Sequence, residues 1–473
     1  MVEKFIKTKI LSTVGPASSS AEILEKMILA GVDGFRLNFS HSDLNFFKQV
    51  ISHIRAISKR NDKTVSILGD LQGPKIRIGK ILNGEIELKS GQRITITNKD
   101  VIGNEKRIST NYRSLPSEVS PGDKILIDDG LIKLKVKSKN RSDILCVVID
   151  GGLLREKKGL NLPGVKLKTK SITKKDFTNI DFAIENKLDF LALSFVRSPD
   201  DVINLKKILR RNGSLIPVIA KIELLEGVNN FEKILNVSDG IMIARGDLGV
   251  ELEPQEVPVI QKLIIKRCIE ERKLVITATQ MLESMVSNPL PTRAEASDVA
   301  NAVFDGTDVV MLSAETSIGK DPLRVVNVLN KILSRAEEVE VDHQFEFSKL
   351  ERDDAHIQSI GKAVALIANE INASAIIPIT LSGFTAIVLS KFNPKSRILA
   401  ITVNYQTCRL LNMYRDIQSF VIPKIGDTDQ TIIKAKSLLL RNKQIEKKNT
   451  VVFVGSLRST TKHVTNMIKI ETV

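Results

Sequence analysis

Lys221 and Glu223 lie two residues apart where the apolar run Ile216–Ile222 gives way to polar sequence. On a strand, residues two apart share a face, so this pair offers a cation and a hard oxygen ligand together. Two later runs end in the same way. Gly240–Ala244 leads into Arg245-Gly246-Asp247, and Leu274–Thr279 closes on Thr277-Ala278-Thr279-Gln280. Asp247 supplies a second oxygen ligand from the next strand. A lysine beside a two-carboxylate divalent-metal site suits an anionic, phosphorylated substrate. Short apolar runs bounded by polar turns read as buried parallel strands, and in a barrel or open α/β sheet their carboxyl ends converge on one crevice.

Eight such runs occur: Lys9–Val14, Gly34–Phe39, Val65–Leu71, Phe190–Phe195, Ile216–Ile222, Gly240–Ala244, Leu274–Thr279 and Val309–Leu312. Helical periodicity lies between most of them, as in Ala21–Ala30 and Val257–Arg272. The alternation predicts an α/β fold built on a (β/α)8 TIM barrel. More than 100 residues separate the third and fourth runs. That stretch holds short alternating segments divided by turn signals such as Asn83-Gly84 and Asp129-Gly130, the pattern of an inserted all-β lid. A separate C-terminal α/β domain follows, with strands at Ala375–Thr380, Arg397–Val403 and Val451–Gly455. The expected division is 1–71 and 171–345 for the barrel, 72–170 for the lid and 346–473 for the C-terminal α/β domain. No internal repeat is visible.

Composition fits an enzyme with proper cores: 473 residues, 42% hydrophobic and 26% charged. No apolar run reaches membrane-spanning length, Met1–Ile10 has no signal-peptide pattern, and Cys146, Cys268 and Cys408 are dispersed, so a reducing cytoplasm and no membrane are expected. The net charge of +15 reads as a lysine-rich solvated surface. Aromatic content of 4%, with no basic stretch interleaved with aromatics, argues against nucleic acid.

Other strand ends carry chemistry too. Arg36, Asn38 and Ser40 alternate on one face, pairing an anion-binding guanidinium with neutral oxygens suited to a hard cation. Asp70 ends the third run as a metal-ligand candidate, and Arg77 lies where the chain enters the insert, placed for a nucleotide phosphate. Further on, Thr380-Leu381-Ser382-Gly383-Phe384-Thr385 follows a strand and opens a helix. Helix starts bind phosphate readily, and Thr380, Ser382, Gly383 and Thr385 form a candidate site for a phosphorylated effector, with ordinary helix capping as the plainer reading.

Together with Lys158–Gly164, Pro289–Asp308 and Met311–Thr316, these segments make the chain resemble the pyruvate kinase family. The resemblance implies transfer of a phosphoryl group from phosphoenolpyruvate to ADP with Mg2+, for which Mn2+ substitutes, and a homotetramer. It implies that Arg36, Lys221, Gly246, Asp247 and Thr279 bind substrate, that Lys221 is catalytic, and that Glu223 and Asp247 hold the divalent cation. Asn38, Phe39, Ser40, His41, Arg77 and Lys158 are implied for the nucleotide. Asn38, Ser40, Asp70 and position 71 are implied for the monovalent cation, K+, typical of the family. Here position 71 is Leu71 rather than the frequent Thr, and Lys75 replaces a frequent Glu, so Lys75 is expected to stand in for the ion. The rival readings are another metal-dependent barrel enzyme acting on phosphoenolpyruvate or pyruvate, and a non-catalytic basic binding protein.

Overall fold

The computed structural model of the chain describes residues 5–40, 43–339, 347, 355–456 and 465–473. Its centre is a closed barrel of eight parallel strands: Lys9–Thr13, Gly34–Asn38, Ser66–Asp70, Phe190–Leu193, Val218–Ile222, Gly240–Ala244, Leu274–Ala278 and Val309–Leu312. Each pairs with its sequence neighbour, and the first closes on the eighth with Lys9 opposite Val309. The strands are buried along their whole length or nearly so, because barrel interior and helical ring cover both faces. The helices keep the sequence periodicity: Ala21–Leu29 turns Leu24, Met27 and Ile28 inward. Arg293–Phe304 starts at a capping box in which Thr292 and Glu295 satisfy each other's backbone N–H groups.

The amino-terminal rim repeats one device four times. Asp33, Asp189, Asp239 and Asp308 each immediately precede an even-numbered strand. Each carboxylate accepts the N–H of a residue on the preceding odd strand: Ile10, Ile67, Val218 and Val275, at 2.8, 2.8, 2.8 and 2.9 Å. Each also faces a cation: Lys9 for Asp33, Arg55 and Arg409 for Asp189, Lys206 for Asp239 and Lys391 for Asp308. This repeat escapes a sequence scan because its intervals are unequal.

The lid leaves after the third strand. Its six-stranded sheet runs Leu160–Asn161, Lys124–Ile127, Ile132–Lys139, Asp143–Asp150, Arg93–Thr97, Arg107–Ser109, and Glu85–Leu88 pairs with Gly152–Arg155 in a second sheet. The strands at Arg107–Ser109, Gly152–Arg155 and Leu160–Asn161 are additions to the segments read from alternation; they have only two to four residues, too few to show a period. The lid is anchored at both roots. Asp176 accepts the Gln72 N–H (3.1 Å), and Arg197 donates to the carbonyl of Leu167 (2.6 Å) and to Thr169.

The C-terminal sheet has the order Ile417–Val421, Arg397–Thr402, Ala375–Pro378, Thr450–Gly455, Met467–Thr472. The last strand runs antiparallel to its neighbour. This domain closes the barrel floor. Barrel-interior residues such as Leu11, Phe190 and Met242 share one apolar cluster with Leu411, Met413 and Tyr414. Lys391 reaches Asp308 (2.7 Å to Oδ1), Arg409 reaches Asp189 (2.6 Å), and the Asn412 amide donates to the carbonyls of Asp33 and Thr64. All three cysteines are buried and free, and among the described residues no helix is long and apolar enough to cross a membrane.

One group at this junction is poorly satisfied. Asp416 is fully buried, and the Lys7 ammonium lies 3.2 Å from its Oδ2. Burial pushes its pKa from an ordinary 3.8 up to about 6, against the pull of Lys7, Arg415 and Lys9. The folded protein therefore holds this proton more tightly than the unfolded chain. Stability falls as pH rises from about 3.8 to about 6, and the penalty is complete above that range. Asp416→Asn is expected to raise Tm at pH 8 and to give no gain at pH 4. Calorimetry at the two pH values checks this, and an equal shift at both would contradict it.

Candidate active site

Four charged side chains interlock at the carboxyl ends of the strands. Arg36, on the second strand, directs both Nε and Nη2 to Oδ2 of Asp70, each at 2.7 Å, and Nη1 to the Thr13 hydroxyl at 3.1 Å. Asp70, the last residue of the third strand, is 1% exposed. Its Oδ1 lies 3.3 Å from the Lys221 ammonium. Lys221 reaches Glu223 Oε1 at 2.9 Å and donates to the Ser194 hydroxyl at 2.7 Å. The same-face reading of Lys221 and Glu223 therefore holds.

The electrostatics follow from burial. Burial works against the Asp70 carboxylate, but Lys221 and Arg36 outweigh it and hold its pKa below the usual range. Burial likewise opposes the Lys221 ammonium, and Asp70 with Glu223 overcomes it, raising the lysine. Glu223 ends on the other side. Burial, helped by repulsion from Asp247, pushes its carboxyl up against the pull of Lys221 and of the Phe195 N–H, 2.6 Å from Oε2. A further cation between Glu223 and Asp247 would relieve that repulsion, so the pair fits a divalent metal. Among the described residues no group of three or more His, Cys, Asp or Glu can hold a metal. Two carboxylates are a donor set that a hard divalent cation accepts.

Gly246 and Thr279 come together across the sixth and seventh strands, with the Gly246 N–H donating to the Thr279 hydroxyl at 2.8 Å. Arg245, to which the sequence analysis gave no role, fixes both loops. Buried, it donates to the carbonyls of Thr279 (2.7 Å) and Gln280 (3.1 Å), to Gln261 and to Asp298 (2.8 Å). Thr279 and Gln280 both have left-handed backbones, with φ of 66° and 55°. Such torsions cost energy and persist where surrounding contacts hold them.

The other candidates are spread around this centre. Asn38 accepts the Ser40 N–H at 3.1 Å. The Phe39 side chain packs in the core against Phe47 and Phe182, which leaves only its backbone for a nucleotide. His41 lies outside the described residues. Leu71 is buried. The segments carrying Arg77 and Lys158 adjoin on the lid, where the Ile78 N–H donates to the Lys158 carbonyl (3.0 Å); Arg77 donates to the Lys157 carbonyl at 2.9 Å, and Lys158 pairs with Asp128 at 2.8 Å. Lys75 lies 3.8 Å from Asp247. Beside Asp247, a cavity of about 160 Å³ runs between the lid's return segment and the barrel, and burial pushes its lining residue Glu251 up to about 7. Thr380, Ser382 and Gly383 form the turn that leads into the helix Phe384–Lys391, and Thr385 lies in its first turn: Thr380 accepts the Gly383 N–H at 3.0 Å, Ser382 the Phe384 N–H at 3.4 Å, and Thr385 bonds Thr465.

Ser194 and Phe195 escape a sequence reading because they end an apolar run and look like part of the strand. Arg245 was legible only as one letter of a common triplet.

A barrel whose mouth gathers buried cations and neighbouring carboxylates under an inserted lid suits an anionic substrate. Two family models match the chain, for the pyruvate kinase barrel domain over residues 5–326 and for the pyruvate kinase alpha/beta domain over residues 358–471. Pyruvate kinase of Staphylococcus saprophyticus is 43% identical over 99% of this chain and 80% of its own length. That of Clostridium perfringens is 40% identical over 99% of this chain and 100% of its own. The solved structure of a pyruvate kinase from Cryptosporidium parvum superposes with a TM-score of 0.92 at 38% identity, covering 99% of this chain and 96% of that one. The chain belongs to the pyruvate kinase family. It is a phosphotransferase whose reaction takes phosphoenolpyruvate and ADP to pyruvate and ATP with a divalent cation.

Proposed function

We propose that Lys221 is the catalytic cation of this reaction, and that the interlocked Arg36–Asp70–Lys221–Glu223 cluster, which carries the proposal, is its phosphoryl-transfer centre. Arg36 and Lys221 receive the phosphoryl group of phosphoenolpyruvate, Gly246 and Thr279 orient the substrate's carboxylate end, and Asp247 joins Glu223 in holding Mg2+, with Mn2+ as a substitute. Arg77, Lys158 and the Asn38–Ser40 turn receive the ADP phosphates. Phosphoryl transfer depends on positioning and charge neutralisation more than on covalent chemistry. Held by Glu223 and Asp247, a divalent cation would supply charge neutralisation for the transferring group and the leaving enolate. Lys221 donates hydrogen bonds to the moving phosphoryl oxygens while Asp70 keeps it charged; Arg36 holds the group from the second strand. The division into barrel (1–71, 171–345), lid (72–170) and C-terminal domain (346–473) belongs to the same reading, supported by sheet membership. A cytoplasmic homotetramer that binds neither membrane nor nucleic acid completes it.

Lys221→Met is expected to lower kcat by about 10²–10³, the loss of one preorganised charge worth roughly 3–4 kcal/mol. A coupled assay of pyruvate formation from phosphoenolpyruvate and ADP reads this, and turnover near normal would reject the assignment.

Lys75 supports independence from K+. Its ammonium is turned inward to Asp247, so this corner already carries a fixed cation. Two unit charges about 4 Å apart cost on the order of 4 kcal/mol at an effective dielectric of 20, enough to disfavour a bound potassium ion nearby. Full turnover is expected with K+ replaced by tetramethylammonium, and Lys75→Glu is expected to create a K+ requirement. Strong activation of the unaltered enzyme by K+ would overturn this.

The Thr380–Thr385 loop is proposed as a seat for a phosphorylated effector, sugar phosphate or nucleotide. Backbone N–H groups at the start of the Phe384–Lys391 helix support it. A panel of sugar phosphates and AMP is expected to shift activity or Tm, and Ser382→Ala to weaken that response; no response to any of them ends the proposal.

A further inference from the structure

Before substrate arrives, all three protons of the Lys221 ammonium have an acceptor at hand: Glu223 at 2.9 Å, Asp70 at 3.3 Å and Ser194 at 2.7 Å. To donate to a phosphoryl oxygen, the ammonium must release one of them. The two carboxylates hold it by charge as well as by hydrogen bonding, so the neutral hydroxyl is the partner most easily exchanged. Ser194 follows the fourth strand, and its hydroxyl also lies 3.4 Å from Asp70 Oδ1. The next residue acts on the other half of the pair. The Phe195 N–H donates to Glu223 Oε2 at 2.6 Å, and Phe195 has φ of 56°. A bulky aromatic in the left-handed region is strained, and such strain is held only by surrounding contacts. One contact comes from the lid. Gly73, at its first root, has φ of 65°, and a Cβ there would meet Phe195 Cδ2 at 3.0 Å and Ser194 Cβ at 3.2 Å.

We infer that the Ser194-Phe195 turn is a positioning element: the Ser194 hydroxyl fixes one direction of the Lys221 ammonium, the Phe195 N–H holds the second oxygen of Glu223, and both are tied to the lid's root. The inference rests on Lys221 acting on the phosphoryl group as proposed above. Without the Ser194 hydroxyl, the ammonium leans on Glu223 and competes there with the divalent cation.

The test is steady-state kinetics on the full chain for Ser194→Ala, Ser194→Thr and Lys221→Met, titrating Mg2+ at saturating substrates, with melting followed by circular dichroism. Ser194→Ala is expected to lower kcat about tenfold or more, the weight of one hydrogen bond to a charged group. It is also expected to raise the Mg2+ concentration at half-saturation, with the KM for phosphoenolpyruvate little changed. Ser194→Thr, which keeps the hydroxyl, is expected to recover most of both. Unchanged kcat and Mg2+ dependence in Ser194→Ala, while Lys221→Met is inactive, overturns this inference alone; an active Lys221→Met overturns the reading beneath it. A Ser194→Ala protein with lowered Tm and normal Mg2+ dependence has lost only packing, and that also overturns it. Gly73→Ala, which presses a methyl on the turn from the lid side, is expected to raise the Mg2+ requirement in milder form, and normal dependence there would remove the lid connection.

Discussion

The mouth of the barrel is organised by the buried carboxylate of Asp70. Two cations meet at this one side chain, Arg36 through paired contacts at 2.7 Å and Lys221 at 3.3 Å. Removing charges from water costs several kcal/mol per ion, and mutual attraction recovers that only when the geometry is good and the remaining hydrogen bonds are made. Thr13 and Ser194 make those bonds. Such a cluster is poor evidence for stability and good evidence for preorganisation. Its cations are desolvated and aimed before substrate arrives, so little reorganisation remains for the moment of reaction.

The opposite end of the barrel meets a different constraint. Strand ends there would leave buried N–H groups without partners, and an unmet buried donor costs about 1–3 kcal/mol. The four rim aspartates satisfy one N–H each on the odd-numbered strands and then need cations of their own. Two of those cations, Arg409 and Lys391, come from the C-terminal domain. With the shared apolar cluster beneath the strands, this makes the C-terminal domain the floor of the catalytic barrel. A displacement of that domain would have to break ion pairs at two strand starts.

Much of this was legible in the sequence because period and burial coincide there. The eight runs became the eight strands, since a barrel strand is apolar on both faces and stands out as a continuous block. Lys221 and Glu223 were placed correctly by the two-residue repeat alone. The failures have equally local causes. Met467–Thr472 is half solvated on an antiparallel edge, so Met467-Ile468-Lys469-Ile470 gives a weaker signal than a buried parallel strand. Ser194 and Phe195 were hidden by position, because a serine and a phenylalanine closing an apolar run look like more strand. Their role depends on a hydroxyl direction and a left-handed torsion, which composition does not encode. The rim aspartates were hidden by spacing, since insertions of unequal length between strands erase the period that their three-dimensional placement obeys.

Charge arithmetic joins the two carboxylate sites at the mouth. Arg36, Lys75 and Lys221 carry three formal positive charges, and Asp70, Glu223 and Asp247 carry three negative ones. The protein alone is therefore balanced at this point, and the divalent cation that the reaction takes would give the mouth an excess of two positive charges for an anionic substrate. A carboxylate at position 75 would lower that total by two, to zero with the divalent cation bound, and a monovalent ion would restore half the deficit. Lys75 sits on the lid side of the site and Asp247 on the barrel side, 3.8 Å apart. The ammonium that completes the charge balance therefore enters with the lid's root. The same root segment brings Gly73 against the Ser194-Phe195 turn, so lid placement and site electrostatics share one short stretch of chain.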